Sequence, residues 1–445
     1  MRKMTQGRID AHLLAVAIPL ILGNFFQLTY NAVDSIIVGK FAGEGALAAV
    51  SAANPVMTIV ILGVSGISIG ASVLMSRLFG AGEEEKLRRE VATTMLFGLA
   101  ASLAVFVPGV LVSGPLLRLL NVPPEILGEA TIYMRIVFVG FLFTFQYNIL
   151  AAALRSVGDT KTPVTYLAAS CVLNALLDAL FVWGLKWGVA GASVATVIAS
   201  AMSAVCCFVH IRRRIPLLRF ERKEIRIDRE LLKETLALGS VTALQQACQP
   251  VGKVLIQSVI NAQGVGVIAA FNAVTRVDDF ACIPEQSISS AMTTCIAQNR
   301  GAGKKERVKE TLKVGMGMEF AYGVAILLVT LLVKEPVMRL FAASGSTQMV
   351  EMGVSYLSLM AFFYILPGLT NGIQGYFRGM GEMKTTLVNT AIQISVRAAI
   401  VYILVPRIGL RGAAIACAVG WCCMLVNCAF QYRKVNRRYE VEEQC

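Results

Sequence analysis

Apolar runs of about 20 residues, the length a helix needs to cross the lipid hydrocarbon core, recur twelve times along the 445-residue chain. They fall near 12–38, 46–76, 91–113, 129–154, 163–185 and 189–211, then near 236–261, 266–297, 312–333, 350–377, 384–405 and 410–432. One large soluble core cannot account for them. Only 16% of residues are charged, against about a quarter in soluble domains, and mean hydropathy is +0.66. The sequence therefore predicts an all-α integral membrane protein of twelve transmembrane helices. The first run is too long for the apolar core of a signal peptide and lacks a clear small-x-small cleavage site, so it is expected to remain as the first span.

The formal charge of +13 would ordinarily suggest nucleic acid or an acidic partner, but its distribution argues against both. Thirty Lys and Arg residues occupy the N-terminus and the stretches after even-numbered spans, against seven after odd-numbered spans. That asymmetry is the positive-inside pattern, and it predicts both termini on the cytoplasmic side of the cell membrane. Trp183 and Trp187 flank Lys186 as an aromatic belt at the opposite interface would. The eleven cysteines lie mostly inside apolar runs without CxxC spacing, and His12 and His210 are far from any cluster. No disulfide framework, metal site or bound cofactor is expected.

Residues 212–234 form the longest polar stretch, basic with scattered apolar positions. It suits an amphipathic helix on the cytoplasmic surface, a linker between halves, or both. The expected organisation is an N-terminal lobe over 1–211, a linker over 212–235 and a C-terminal lobe over 236–445.

The two halves repeat each other. Gly43-EGALAAVS aligns with Gly264-VGVIAAFN, and Gly80-Ala81-Gly82 aligns with Gly301-Ala302-Gly303. Arg155-SVGDTKT aligns with Arg378-GMGEMKT, and Gly188-VAGA aligns with Gly409-LRGA, all at offsets of 221 to 223 residues. Six spans per half give both halves the same orientation, which predicts two pseudo-symmetric six-helix bundles related by an axis along the membrane normal, with a central cavity. No G-x-x-x-x-G-K-[ST] loop is present, so transport would be secondary or passive. Gly63, Gly66 and Gly70 fit close helix packing.

Ionisable residues inside a membrane cost roughly 2.5–3.5 kcal/mol each at mid-bilayer and need a reason. Asp34 lies in the first span and Asp178 in the fifth, with Asn174 one helical turn before Asp178 on the same face. Thr196 adds an oxygen from the sixth span. Two neighbouring carboxylates cannot both carry charge cheaply there, so the set suits a site that exchanges H+ or Na+. At the repeat offsets Leu255, Arg397, Val401 and Cys417 replace Asp34, Asn174, Asp178 and Thr196, so coupling is expected in the first half alone. The second half instead carries Lys253, Arg276, Asp278, Asp279, Glu285 and Arg397. These read as a mutually neutralising structural or gating network, with substrate or proton handling as the other reading.

The stretch Pro19-LILGNFFQLTYNAVDSIIVG, the loop RLFGAGEEEK, the run LRSVGDTKTP and the segment from Asn174 to Thr196 resemble transporters of the MATE (multidrug and toxic compound extrusion) family. The resemblance covers essentially the whole chain. It implies export of amphipathic or cationic organic compounds in exchange for H+ or Na+, with the cation site at Asp34, Asn174, Asp178 and Thr196. It further implies a bending helix at Pro19 and pocket-lining roles for Gln27 and Tyr30. The NorM-like branch adds a glutamate in helix 7 and an aspartate in helix 10. Here those helices offer Gln245, Gln246 and Gln249, and Asn371 and Gln374, which points to the DinF-like branch.

The leading expectation is a monomeric, ion-coupled antiporter with a small amphipathic substrate, and no enzyme. A lipid-linked precursor flippase would need a cationic cavity, for which Arg135, Lys253, Arg276 and Arg397 are the basic residues left within the spans. A pore would not need the carboxylate pair, and an enzyme would need a nucleophile or metal cluster that the sequence does not offer.

Overall fold

The computed structural model describes residues 2–221, 224–341 and 347–442. Among these residues the chain is helical, with no β-strand. In order the helices are α1 (Ile9–Ile37), α2 (Glu44–Ala81), α3 (Glu84–Leu119), α4 (Pro124–Ser156), α5 (Lys161–Asp178) and α6 (Gly188–Arg214), then α7 (Arg229–Asn261), α8 (Val265–Gly301), α9 (Lys305–Phe341), α10 (Thr347–Phe363), α11 (Ile365–Gly379), α12 (Met383–Ile408) and α13 (Leu410–Glu442).

Among the described residues nine helices, α1–α6, α9, α12 and α13, are long and apolar enough to cross a membrane, and α10 with α11 forms a bent tenth. The bend is 43°. Its cause is Pro367, which has no N–H to give to the carbonyl one turn back in α10. The remaining two, α7 and α8, are 33 and 37 residues long but carry the polar group Lys253, Arg276, Asp278, Asp279 and Glu285. Counting the bent pair once gives the twelve expected elements. Large apolar side chains point outward on these helices: Leu332 is 80% exposed and Ile59 72%, as suits a lipid-facing surface.

The chain folds as two compact units. One comprises Met1–Gln6, Ile18–Ala243 and Gln298–Gly303; the other comprises Gly7–Ala17, Leu244–Ala297 and Lys304–Cys445. The division therefore runs within α1, α7 and α8 and not through the stretch at 212–235. In the first unit α4 packs against α2, α3 and α6, and α5 against α6. In the second, α12 packs on α13, and α9 on α10 and α11.

The stretch at 212–235 differs from the amphipathic helix considered for it. Helix α6 runs on through Arg214, and a 3-10 turn follows over Pro216–Leu218. Helix α7 begins at Arg229. The segment is anchored by Glu224, which is buried and accepts a hydrogen bond from Arg88 Nε at 3.1 Å. Arg222 and Lys223 lie outside the described residues.

The repeated Gly-Ala-Gly motif has a mechanical basis within the first unit. A Cβ on Gly80 would lie 1.9 Å from the Gln298 carbonyl oxygen, and one on Gly301 would lie 2.0 Å from that of Arg77. No other residue permits that crossing. The second glycine of each motif, Gly82 or Gly303, ends its helix in the left-handed region, at φ 75° and 67°. Gly66 and Gly70 of α2 likewise meet Ala243 and Gly239 of α7 at distances that exclude a side chain, whereas Gly63 faces open space.

Candidate functional site

Three helical stripes build the polar site of the first unit. On α1, Gly23, Gln27, Tyr30 and Asp34 recur at intervals of four, three and four residues, which places them on one face. On α5, Val164, Leu167, Cys171, Asn174 and Asp178 recur at three and four, and on α6 Ala192, Thr196, Ala199 and Ser203 do the same. Gly23 lets α1 approach α5, since a Cβ there would lie 3.1 Å from both methyl carbons of Val164. That approach brings Asp34 opposite Asp178.

The two carboxylates lie within hydrogen-bonding reach of each other. Asn174 is 1% exposed and Asp178 is fully buried. In the amide orientation that satisfies both its ends, Asn174 donates to Asp178 Oδ2 (2.5 Å) and to the Tyr30 hydroxyl (3.3 Å), and accepts from Thr196 Oγ1 (3.3 Å) and Thr196 N (3.0 Å). Oδ1 of Asp34 and Oδ1 of Asp178 are buried with no hydrogen-bond partner among the described residues. Such atoms are costly unless a proton or cation occupies the gap. Both helices widen into a π-helical segment just beyond the carboxylates, over Val38–Ala42 and Ala179–Gly184. Such segments concentrate at functional sites because they re-aim side chains without breaking a helix.

Beside this cluster is a cavity of about 310 Å³, lined among others by Gln27, Tyr30, Asn148, Arg155, Asn174 and Thr196. Asp34 and Asp178 are not among its lining residues, whereas Tyr30, Asn174 and Thr196 are, and Asn174 links the other two to Asp178 by hydrogen bonds. Pro19 sits inside α1, which continues unbroken through it. Sequence reasoning missed two contributors. Tyr133 of α4 lies close enough to feel the charge of both carboxylates, although no spacing rule links it to either. Arg155 falls among the basic residues after an even-numbered span, yet α4 continues through Ser156 and turns Arg155 into the cavity.

The charged group of the second unit separates into parts. Lys253 Nζ lies 3.4 Å from Asp279 Oδ1. The Tyr364 hydroxyl donates to Asp278 Oδ1, and the charge of Arg397 acts on the same carboxylate without an ion-pair contact among the described residues. Arg276 does not join them: it is exposed, two positions and therefore about 200° around α8 from Asp278. Glu285 stands apart as well, accepting from Asn371 Nδ2 at 3.3 Å. Gln245 and Gln374, where the NorM-like pattern would have carboxylates, meet directly: Gln245 Nε2 donates to Gln374 Oε1 at 2.6 Å and to Thr390 Oγ1 at 3.0 Å.

The MatE family profile matches residues 19–180 and 242–403, one copy in each half. The chain belongs to the MatE family. Among curated relatives it is 29% identical over 384 residues to "Probable multidrug resistance protein YoeA" of Bacillus subtilis, covering 85% of this chain and 82% of that protein. It is 27% identical over 436 residues to "Probable multidrug resistance protein YpnP" of the same organism, covering 97% and 96%. The fold matches a solved structure described as the outward-facing conformation of a multidrug resistance MATE family transporter, with a TM-score of 0.89 at 23% identity, over 99% of this chain and 98% of that one. The MatE-family chain is thus a multi-pass membrane transporter, not an enzyme.

Proposed function

We propose that this MatE-family transporter exports amphipathic or cationic organic compounds from the cell in exchange for H+ or Na+, by alternating access. Both termini are assigned to the cytoplasmic side, on the distribution of basic residues. The coupling ion binds at Asp34 and Asp178, oriented by Asn174 and Thr196, and Gln27 and Tyr30 contact the substrate. The observation that carries this reading is the pair of buried, unpartnered oxygens, Asp34 Oδ1 and Asp178 Oδ1, on facing carboxylates. An ion that fills that gap changes the local charge and the contacts between α1 and α5, which is how binding can shift a conformational equilibrium. The multidrug names of the relatives support the substrate class.

The flippase reading fits less well. The cavity of the first unit has the guanidinium of Arg155 on its wall, while Lys253 is paired with Asp279 in the second.

The test is dye efflux from proteoliposomes under imposed H+ or Na+ gradients, comparing wild type with Asp34→Asn and Asp178→Asn. Loss of gradient-driven efflux in both variants is the expected result. Coupled efflux unchanged in both would remove the site from the mechanism.

A further inference from the structure

The second unit holds a carboxylate pair of its own, on helices that the duplication does not predict. Glu285 of α8 and Glu319 of α9 are both fully buried. They converge on the backbone of α11: a methyl placed on Gly368 would lie 3.7 Å from Glu285 Oε1 and 3.5 Å from Glu319 Oε2. Among the described residues neither oxygen of Glu319 has a hydrogen-bond partner, and Oε1 of Glu285 has none either. The partner present is Asn371, whose Nδ2 donates to Glu285 Oε2.

Among the described residues, the other groups around the pair make no direct contact that neutralises it. Arg378 of α11 turns its Nη2 to Ser289 Oγ at 2.7 Å. Tyr322 of α9 donates to the Ala281 carbonyl at 2.8 Å. Asp278 and Cys282 are the further titratable neighbours on α8. Glu319 otherwise packs against Gly372, beside the thioethers of Met292 and Met316. Thioether sulfur is a soft ligand and a poor one for a hard alkali cation. Two adjacent carboxylates in such surroundings cannot both be charged without a counter-ion at contact, and a proton is the occupant that needs no further ligands. At the repeat offset of 221 residues Glu285 and Glu319 correspond to Val64 and Gly98. Each half therefore carries one carboxylate pair, and the two pairs lie on non-equivalent helices.

We propose that Glu285 and Glu319 form a second proton-binding site, carried by the C-terminal half and loaded independently of Asp34 and Asp178. The proposal extends the ion-coupled reading above, and its test does not depend on transport.

Full-length protein in nanodiscs is titrated while the infrared carbonyl stretch of protonated carboxyl groups is recorded, with thermal unfolding measured in parallel. Glu319→Gln and Glu285→Gln should each remove the same pH-dependent component, and proton uptake across the titration should fall by about one per chain. Asp34→Asn with Asp178→Asn should leave that component in place. Glu319→Asp should retain it at a shifted position, which a merely structural carboxylate would not require. If Glu319→Gln unfolds, Glu285→Gln reads the same pair from its other member. Spectra of the Gln variants that superimpose on wild type would overturn the proposal. So would a component displaced by Na+ at constant pH, which would make the site a sodium site. Loss of efflux in the aspartate variants with the glutamate signal unchanged supports both sites, and the converse pattern separates their failures.

Discussion

Asn174 donates to Asp178 Oδ2 over 2.5 Å while its carbonyl accepts from Thr196, so one amide fixes a carboxylate of α5 against α6. The other oxygen of Asp178 is left buried and unpartnered beside Asp34. Asn174 is thereby a positioning residue for the ion site. Replacing it by Leu keeps the volume and removes the donor. A charged or protonated Asp178 then loses a hydrogen bond worth roughly 1.5–3 kcal/mol, and gradient-driven efflux should fall about tenfold or more. Efflux rates in proteoliposomes against the driving gradient check this, and Asn174→Gln or Asn174→Ser should recover part of the loss.

The approach of α1 to α5 depends on Gly23. Gly23→Val should overpack the contact with Val164 and cost about 1–3 kcal/mol, lowering the thermal unfolding midpoint and separating Asp34 from Asp178. Val164→Ala in the same chain makes room and should restore both stability and coupled efflux. A double-mutant cycle measures the coupling; simple additivity of the two substitutions would contradict the contact.

The glycines of the first unit are not equivalent. Gly80→Ala would drive a methyl to 1.9 Å from the Gln298 carbonyl oxygen, with backbone on the receiving side. Several kcal/mol of destabilisation, or failure to accumulate in the membrane, is expected. Gly63→Ala meets nothing within 4 Å, so it should be neutral or stabilise α2 by up to about 1 kcal/mol through helix propensity. Expression level and unfolding midpoint in detergent distinguish the two.

The charged group of the second unit should respond unevenly. Lys253 and Asp279 form a long, exposed contact at 3.4 Å, so Lys253→Met should change stability by less than about 1 kcal/mol. Arg397→Met removes a guanidinium whose charge acts on Asp278, which keeps its hydrogen bond from Tyr364, and should cost more, about 1–3 kcal/mol. Thermal unfolding of the two variants side by side checks the ranking, which a single shared network would not produce.

Much of this was legible in the chain itself. Hydropathy and charge are local properties, so the twelve spans and the basic bias of alternate loops can be read without a fold. The 3.6-residue period is local too, and it aligns Gly23, Gln27, Tyr30 and Asp34 on one face and Asn174 with Asp178 on another. The cost of charge within a span marked Asp34 and Asp178, and the duplication showed that the second half lacks counterparts at the same positions.

Which faces meet is a different matter, because it depends on contacts between helices far apart in sequence. Glu319 lies near the start of its span, 34 positions from Glu285 on a different helix, and no periodicity connects them. Only the packing of α8, α9 and α11 brings both to Gly368. The same holds for Gln245 against Gln374, and for Arg155, which α4 carries into the lining of the first unit's cavity. The sequence determined that the chain spans a membrane as a duplicated bundle with an aspartate pair in its first half. Tertiary packing decided that the second half has a buried pair of its own, since two carboxylates become a site only where helix crossing removes water and other partners from both.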